Sequence, residues 1–223
     1  MNTCIVIPAY NESRTIGQLL DELSSRIDDV IVVDDGSNDR TGLIAKEKGA
    51  HVIFRGQKSG KGMSLRKGFE LALQKDYDGV ITLDGDGQHN VDDIVQFERE
   101  AKQHPVSVIV GNRMHAPEGM PFIRYCTNRF MSLIISAACH QKISDTQCGY
   151  RYISCDVLRK IDLLCCSFEI ETEILIKASK KGFKFYSVPI QTIYRDEKSQ
   201  INPFKDTIRF FSYFIKEVFF SKE

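Results

Sequence analysis

Over its first hundred residues the chain alternates short, continuous apolar runs with longer stretches whose apolar positions recur every three or four residues. The first kind reads as strands buried on both faces and the second as helices with one apolar stripe. The reading gives a strand over 4–7 stopped by Pro8, then a helix over 13–27 with Ile16, Leu19, Leu20, Leu23 and Ile27 inward. A second strand at 30–33, a short helix at 41–48 ending at Gly49, and a third strand at 51–54 follow. A helix over 62–74 turns Leu65, Phe69, Ala72 and Leu73 inward, and a fourth strand occupies 80–83. Asn90 caps a helix running to about residue 103, with Asp92 and Asp93 in its first turn, and a fifth strand covers 106–110. This alternation predicts an α/β fold with a mostly parallel, doubly wound central sheet and helices on both faces. The second half is less regular. No repeat or linker divides it, so one catalytic domain over 1–200 is expected, with an amphipathic helix over 201–223.

Bulk composition excludes more than it selects. The 223 residues suffice for one substantial core, and 30 basic against 30 acidic side chains give no sign of a nucleic-acid partner. Met1-Asn2-Thr3 leads into a strand-like run without a basic leader, and no apolar stretch reaches a membrane span, so a cytoplasmic location is expected. Seven scattered cysteines without a Cys-x-x-Cys pair predict reduced thiols and no zinc site.

The candidate chemistry sits where strands end. In open α/β sheets ligands bind beyond the carboxyl ends of the strands. Three such loops, 8–12, 34–37 and 84–88, would meet at one rim. The run Leu83-Asp84-Gly85-Asp86-Gly87-Gln88-His89 puts two carboxylates two residues apart, a hard oxygen pair suited to Mg²⁺ or Mn²⁺ carrying a diphosphate. Val33-Asp34-Asp35-Gly36-Ser37 offers a carboxylate to a ribose or base, or else an Asx turn. Residues 56–61 are one residue short of a P-loop, and no Gly-x-Gly-x-x-Gly follows the first strand.

Four ordered motifs, at residues 6–12, 33–39, 60–62 and 83–89, carry a resemblance to the family-2 glycosyltransferases with a Rossmann-like GT-A fold. Gly111-Asn112-Arg113 and Ser144-Asp145-Thr146-Gln147-Cys148-Gly149-Tyr150-Arg151 narrow it to the dolichyl- and polyprenyl-phosphate hexosyltransferases. The resemblance implies donor binding by Pro8, Ala9, Tyr10, Glu12, Val33, Asp35, Lys61, Asp84, Gly85 and Asp86. It implies a metal at Asp84, Asp86 and Gln88, phosphate contacts by Arg113, Arg124, Arg195 and Lys198, and catalytic duties for Asp86, Arg113 and Asp145. His51 and His89 read as structural.

The activity implied is inverting, metal-assisted transfer of a hexose from UDP-glucose or GDP-mannose to a polyprenyl or dolichyl phosphate. A lipid acceptor implies membrane contact. Two segments offer it: a helix over 122–139 with Ile123, Cys126, Phe130, Leu133, Ile134 and Ala137 on one face and Arg124, Asn128 and Ser132 on another, and the aromatic tail from Phe204 to Phe220. The tail equally suits packing on the domain or at a homodimer interface. A hydroxyl acceptor, with Asp145, Glu169 or Glu171 as base, remains open, as does a nucleotide-sugar-binding or scaffold protein without catalysis.

Overall fold

A computed structural model of the chain describes residues 1–115, 117, 119–191, 193 and 210–220, with backbone alone at 219 and 220. Seven strands form one sheet: β1 (Thr3–Ala9), β2 (Val30–Asp34), β3 (His51–Phe54), β4 (Gly79–Thr82), β5 (Ser107–Asn112), β6 (Arg151–Ser154) and β7 (Lys184–Pro189). Their spatial order is β3-β2-β1-β4-β6-β5-β7. The helices are α1 (Ile16–Leu23), α2 (Thr41–Glu47), α3 (Lys61–Gln74), α4 (Ile94–Gln103), α5 (Phe122–Cys139), α6 (Cys155–Lys160) and α7 (Ile170–Lys180). The predicted α/β class, with a mostly parallel sheet in a single domain, is the observed one.

The central strands are enclosed as their composition requires. Cys4, Ile5, Val6 and Ile7 of β1, Val32 and Val33 of β2, and Val80 and Ile81 of β4 are completely buried. Each fully covered Val, Ile or Leu contributes about 1.5–3 kcal/mol relative to an exposed one. Helix α3 packs on β1, β2 and β4, α4 packs on β5, β6 and β7, and α1 packs against α2.

Several boundaries differ from the sequence reading for identifiable reasons. Strand β1 runs through Pro8 to Ala9, because pairing with β4 ends at Val6–Thr82 while pairing with β2 continues to Ala9–Asp34. Ile5 and Ala9 bond toward β2, so the N–H that proline lacks would have pointed to the side β4 has vacated. Helix α1 stops at Leu23 rather than residue 27, where the hydroxyls of Ser24 and Ser25 turn back onto the carbonyls of Asp21 and Glu22. Helix α2 ends as expected: Gly49 has φ +85° and a Schellman pair closes the turn, Ala50 N–H to Ala45 O and Gly49 N–H to Lys46 O. Asn90 caps a 3₁₀ turn (Val91–Asp93) that leads into α4, its side chain accepting the Asp92 N–H.

Strand β6 has no counterpart in the sequence reading. It is antiparallel to both β4 and β5, so it begins, rather than ends, at the rim where β4 and β5 end. That inversion brings residues 145–150 to the same edge as Asp84.

The two amphipathic segments differ. Helix α5 buries Asn128, Met131, Ser132, Ile135 and Cys139, and leaves Ile123 (79% exposed), Phe130 (57%) and Leu133 (65%) open. Residues 210–218 instead pack on the domain. Phe210 and Phe214 are buried, and the Lys180 ammonium donates to the Glu217 carbonyl (2.8 Å) and carboxylate (3.1 Å). No helix among the described residues is long and apolar enough to cross a membrane.

Candidate active site

The loops after β1, β2 and β4 meet as predicted. The Asp35 N–H bonds Ala9 O, the Thr15 hydroxyl donates to Gly85 O at 2.7 Å, and the Asn11 N–H reaches the Ser37 hydroxyl at 2.9 Å. Pro8 and Val33 face each other in register, so both sit at the strand ends that feed these loops. Asp34 accepts the N–H of Ser37, three residues on, and so closes the start of the loop. Asp35 is more heavily engaged: its carboxylate accepts the backbone N–H groups of Ser59 (3.0 Å) and Gly60 (2.7 Å) and pairs with Arg55 at 3.0 Å. It therefore folds the 55–60 loop over the rim, which sets the Lys58 ammonium 3.6 Å from the centre of the Tyr10 ring.

Strand β4 ends at Thr82, and Asp84, Asp86 and Gln88 follow, each half-buried at the rim. Asp84 Oδ1 lies 2.6 Å from Lys61 Nζ, and Asp84 Oδ2 lies 3.6 Å from His89 Nε2. Burial alone would raise the Asp84 carboxyl, but Lys61 and then His89 draw it well below the usual range. Asp86 accepts the Gln88 N–H at 3.0 Å. Its carboxyl is pushed up by burial and by the negative charge of Asp84. The donors present are hard oxygens, and among the described residues no group of three His, Cys, Asp or Glu side chains closes around a metal. That set fits a divalent cation shared with substrate phosphates, since Mg²⁺ is usually held by one or two carboxylates plus phosphate oxygens.

Behind the rim lies a buried ionic block. Arg113 forks onto Asp145, Nε to Oδ2 at 2.7 Å and Nη2 to Oδ1 at 2.9 Å, and the Arg113 N–H adds a third bond at 3.2 Å. Asp145 is fully enclosed. Arg151, 1% exposed, donates to three carbonyls: Cys148 at 2.7 Å, Glu171 at 2.6 Å and Thr146 at 2.7 Å. It fastens the loop before β6 to the start of α7. Glu171 then turns its carboxylate to Lys61 at 2.7 Å, joining block to rim. Gly149 crosses the junction, where a Cβ would lie 2.8 Å from both Asp84 Oδ2 and Lys61 Nζ.

The sequence-predicted residues thus divide. Pro8, Ala9, Tyr10, Glu12, Gly85, Asp84, Asp86, Gln88 and Lys61 share the rim. Arg113 and Asp145 lie directly behind it, paired to each other. Arg124, in the first turn of α5, is half-buried, and Arg129 is exposed beside the Tyr125 ring. Arg195 and Lys198 lie outside the described residues. Sequence reasoning assigned nothing to Arg151 and named Glu171 as no more than a base for a hydroxyl acceptor. His89, read as structural, stands beside Asp84.

Comparison with known proteins follows the same lines. The family described as Glycosyl transferase family 2 matches residues 4–162. The chain is 30% identical over 215 residues to the UDP-N-acetylglucosamine–dolichyl-phosphate N-acetylglucosaminyltransferase of Methanococcus voltae, spanning 86% of this chain and 85% of the relative. It is 28% identical over 213 residues to the undecaprenyl-phosphate mannosyltransferase of Micrococcus luteus, spanning 88% and 85%. In fold it is similar to glucosyl-3-phosphoglycerate synthase from Mycobacterium tuberculosis, solved in complex with Mn²⁺, uridine-diphosphate and phosphoglyceric acid (TM-score 0.74, 18% identity, 100% of this chain and 80% of that one).

Proposed function

The chain belongs to glycosyl transferase family 2 and is a glycosyltransferase, and from that premise we propose that it moves a hexose from UDP-glucose or GDP-mannose to a polyprenyl or dolichyl phosphate, inverting the anomeric carbon. The observation that carries this reading is the Asp84–Asp86 pair beyond β4, crossed by the segment 145–149 that β6 returns to the same rim. The acceptor class is supported by the relatives' dolichyl and undecaprenyl phosphates.

The chemistry follows from the residues. A phosphomonoester with a second pKa of about 6 is mostly dianionic at neutral pH, so its oxygen can attack C1 without a general base. The new C1–O bond forms as the bond to the nucleotide diphosphate breaks, and the electron pair leaves with the diphosphate. Asp84, Asp86 and the Gln88 amide would hold Mg²⁺ or Mn²⁺, which when bound neutralises charge on the departing diphosphate. Tyr10, Glu12 and the Asp35-braced loop would seat the nucleoside. Arg113, held by Asp145 through Nε and Nη2, keeps Nη1 for the acceptor phosphate, and Arg124 at the head of α5 would add to it. A base for a hydroxyl acceptor is disfavoured because Asp145 and Glu171 are each committed to a cation.

The open stripe on α5 would rest on the bilayer that contains the acceptor. Phe122, Ile123, Phe130 and Leu133 supply the apolar side, and the helix holds Arg124 and Arg129 with no acidic residue. Two copies joined through this face would oppose like charges, whereas an anionic lipid surface on the cytoplasmic side would neutralise them.

The direct test is incubation with radiolabelled UDP- and GDP-sugars, Mg²⁺ or Mn²⁺, and undecaprenyl or dolichyl phosphate. Label in the organic phase is expected. Label confined to a water-soluble product overturns the acceptor assignment, and absence of both transfer and nucleotide-sugar binding overturns the catalytic one. For the lipid surface, wild-type protein should sediment with phosphatidylglycerol vesicles and Leu133→Glu should not; equal sedimentation removes α5 from the account.

A further inference from the structure

Lys61 stands where a divalent cation would be needed. It is the first residue of α3, its side chain is largely enclosed, and its ammonium bridges Asp84 Oδ1 (2.6 Å) and Glu171 Oε1 (2.7 Å). Its backbone is fixed. Gly60 before it has φ +101° and donates its N–H to Asp35, and Gly62 after it packs on the backbone of residues 165–167. Only the side chain is left to move, and Gly149 lies so close to it that a Cβ there would come within 2.8 Å of the ammonium and of Asp84 Oδ2. Two carboxylates, Asp84 and Glu171, hold this one ammonium, and the Asp86 carboxylate lies close enough to Asp84 to feel its charge.

We propose that Lys61 is the counter-cation that occupies Asp84 until a divalent ion displaces it, and that Glu171 is a positioning residue that retains the displaced ammonium for the donor diphosphate. This rests on the metal-assisted transfer proposed above. A divalent ion and an ammonium on one carboxylate repel each other, so the ion's arrival breaks the Lys61–Asp84 contact. With Glu171 behind it the lysine need not return to solvent. It turns about its own side-chain bonds and meets the diphosphate that arrives with the ion. A lysine suits this role because its ammonium is a compact charge on a flexible stem, unlike the rigid guanidinium fork of Arg113.

The test separates binding of metal from binding of donor. Mn²⁺ is titrated alone, by the loss of its free-ion paramagnetic resonance signal, against wild type, Lys61→Met and Glu171→Gln. UDP- or GDP-sugar is then titrated at saturating Mn²⁺. Lys61→Met should bind Mn²⁺ about tenfold more tightly, the worth of one charged hydrogen bond, and bind the donor more weakly. Glu171→Gln leaves the lysine with Asp84 as its one carboxylate and should weaken Mn²⁺ binding, so the two variants move in opposite directions. Lys58→Met, which removes a positive charge at the same rim without touching Asp84, should leave Mn²⁺ binding unchanged. Variants that weaken Mn²⁺ binding together reveal a plain structural bridge and overturn the inference. An equal gain from Lys58→Met reveals a general charge effect and also overturns it. Wild type that binds neither Mn²⁺ nor donor overturns the functional reading as well, so the two failures are distinguishable.

Discussion

Asp84 and Asp145 each face a cation, yet their surroundings make them different objects. Asp84 is half-exposed and shares a lysine with Glu171, one bond to each carboxylate. Asp145 is sealed and grips both forks of an arginine, with Arg151 wiring the adjoining loop to three carbonyls. The lysine bridge is exchangeable, because each bond is single and the cleft can supply another cation. The arginine fork is not, because breaking it strands a charge in a dry interior. The contrast teaches that the proposed catalytic rim combines both: ligands free to trade partners, and a frame that cannot.

The largest expected effect breaks the frame. Asp145→Asn leaves Arg113 buried without its counter-charge and should cost about 3–5 kcal/mol. At roughly 2–4 °C per kcal/mol for a chain of this size, thermal melting should fall by at least about 6 °C. A melt unchanged from wild type would erase the distinction between frame and rim.

Next comes the reverse experiment. Asp86→Asn should lower turnover by about 10²-fold, the scale of losing an electrostatic stabiliser. Its melt should stay level or rise. Burial and Asp84 raise the Asp86 carboxyl, so its ionised form opposes folding, and that penalty appears as pH climbs through the raised value. A large loss of stability in this variant would make Asp86 part of the frame.

Alkali sharpens the comparison further. Burial pushes the Cys148 thiol, beside Arg113, from 9.0 up to about 12. The fold favours the protonated thiol, so this contribution is complete below pH 9 and is lost as pH rises toward 12. By about pH 10 the loss should approach 1.4 kcal/mol, and Cys148→Ala should flatten that part of a melting profile. The smallest effect belongs to the tail: Lys180→Met, which removes a partly exposed pair with Glu217, should cost about 1 kcal/mol or less in a denaturant titration.

What could be read from sequence follows the same division. The rim was legible because its residues lie in contiguous motifs just after strands whose Val and Ile runs announce burial. The frame was not. Lys61 and Glu171 are 110 residues apart and meet because β6 runs against its neighbours, and four residues beginning with arginine give no strand signal of their own. The period of α5 revealed its stripe, but whether that stripe is covered depends on Ser132 and Ser136 being held inward against the segment at 143–146. Phe210 and Phe214 in the tail present a similar stripe and are covered.

The direction of β6 also bears on how such enzymes diversify. Because β5 finishes and β6 starts at the same edge, residues 113–150 depart from the sheet and rejoin it at adjacent points. Between Arg113 and Asp145, whose pairing closes it, the excursion is a cassette, whose length and sequence can drift while the ladders on either side keep their register.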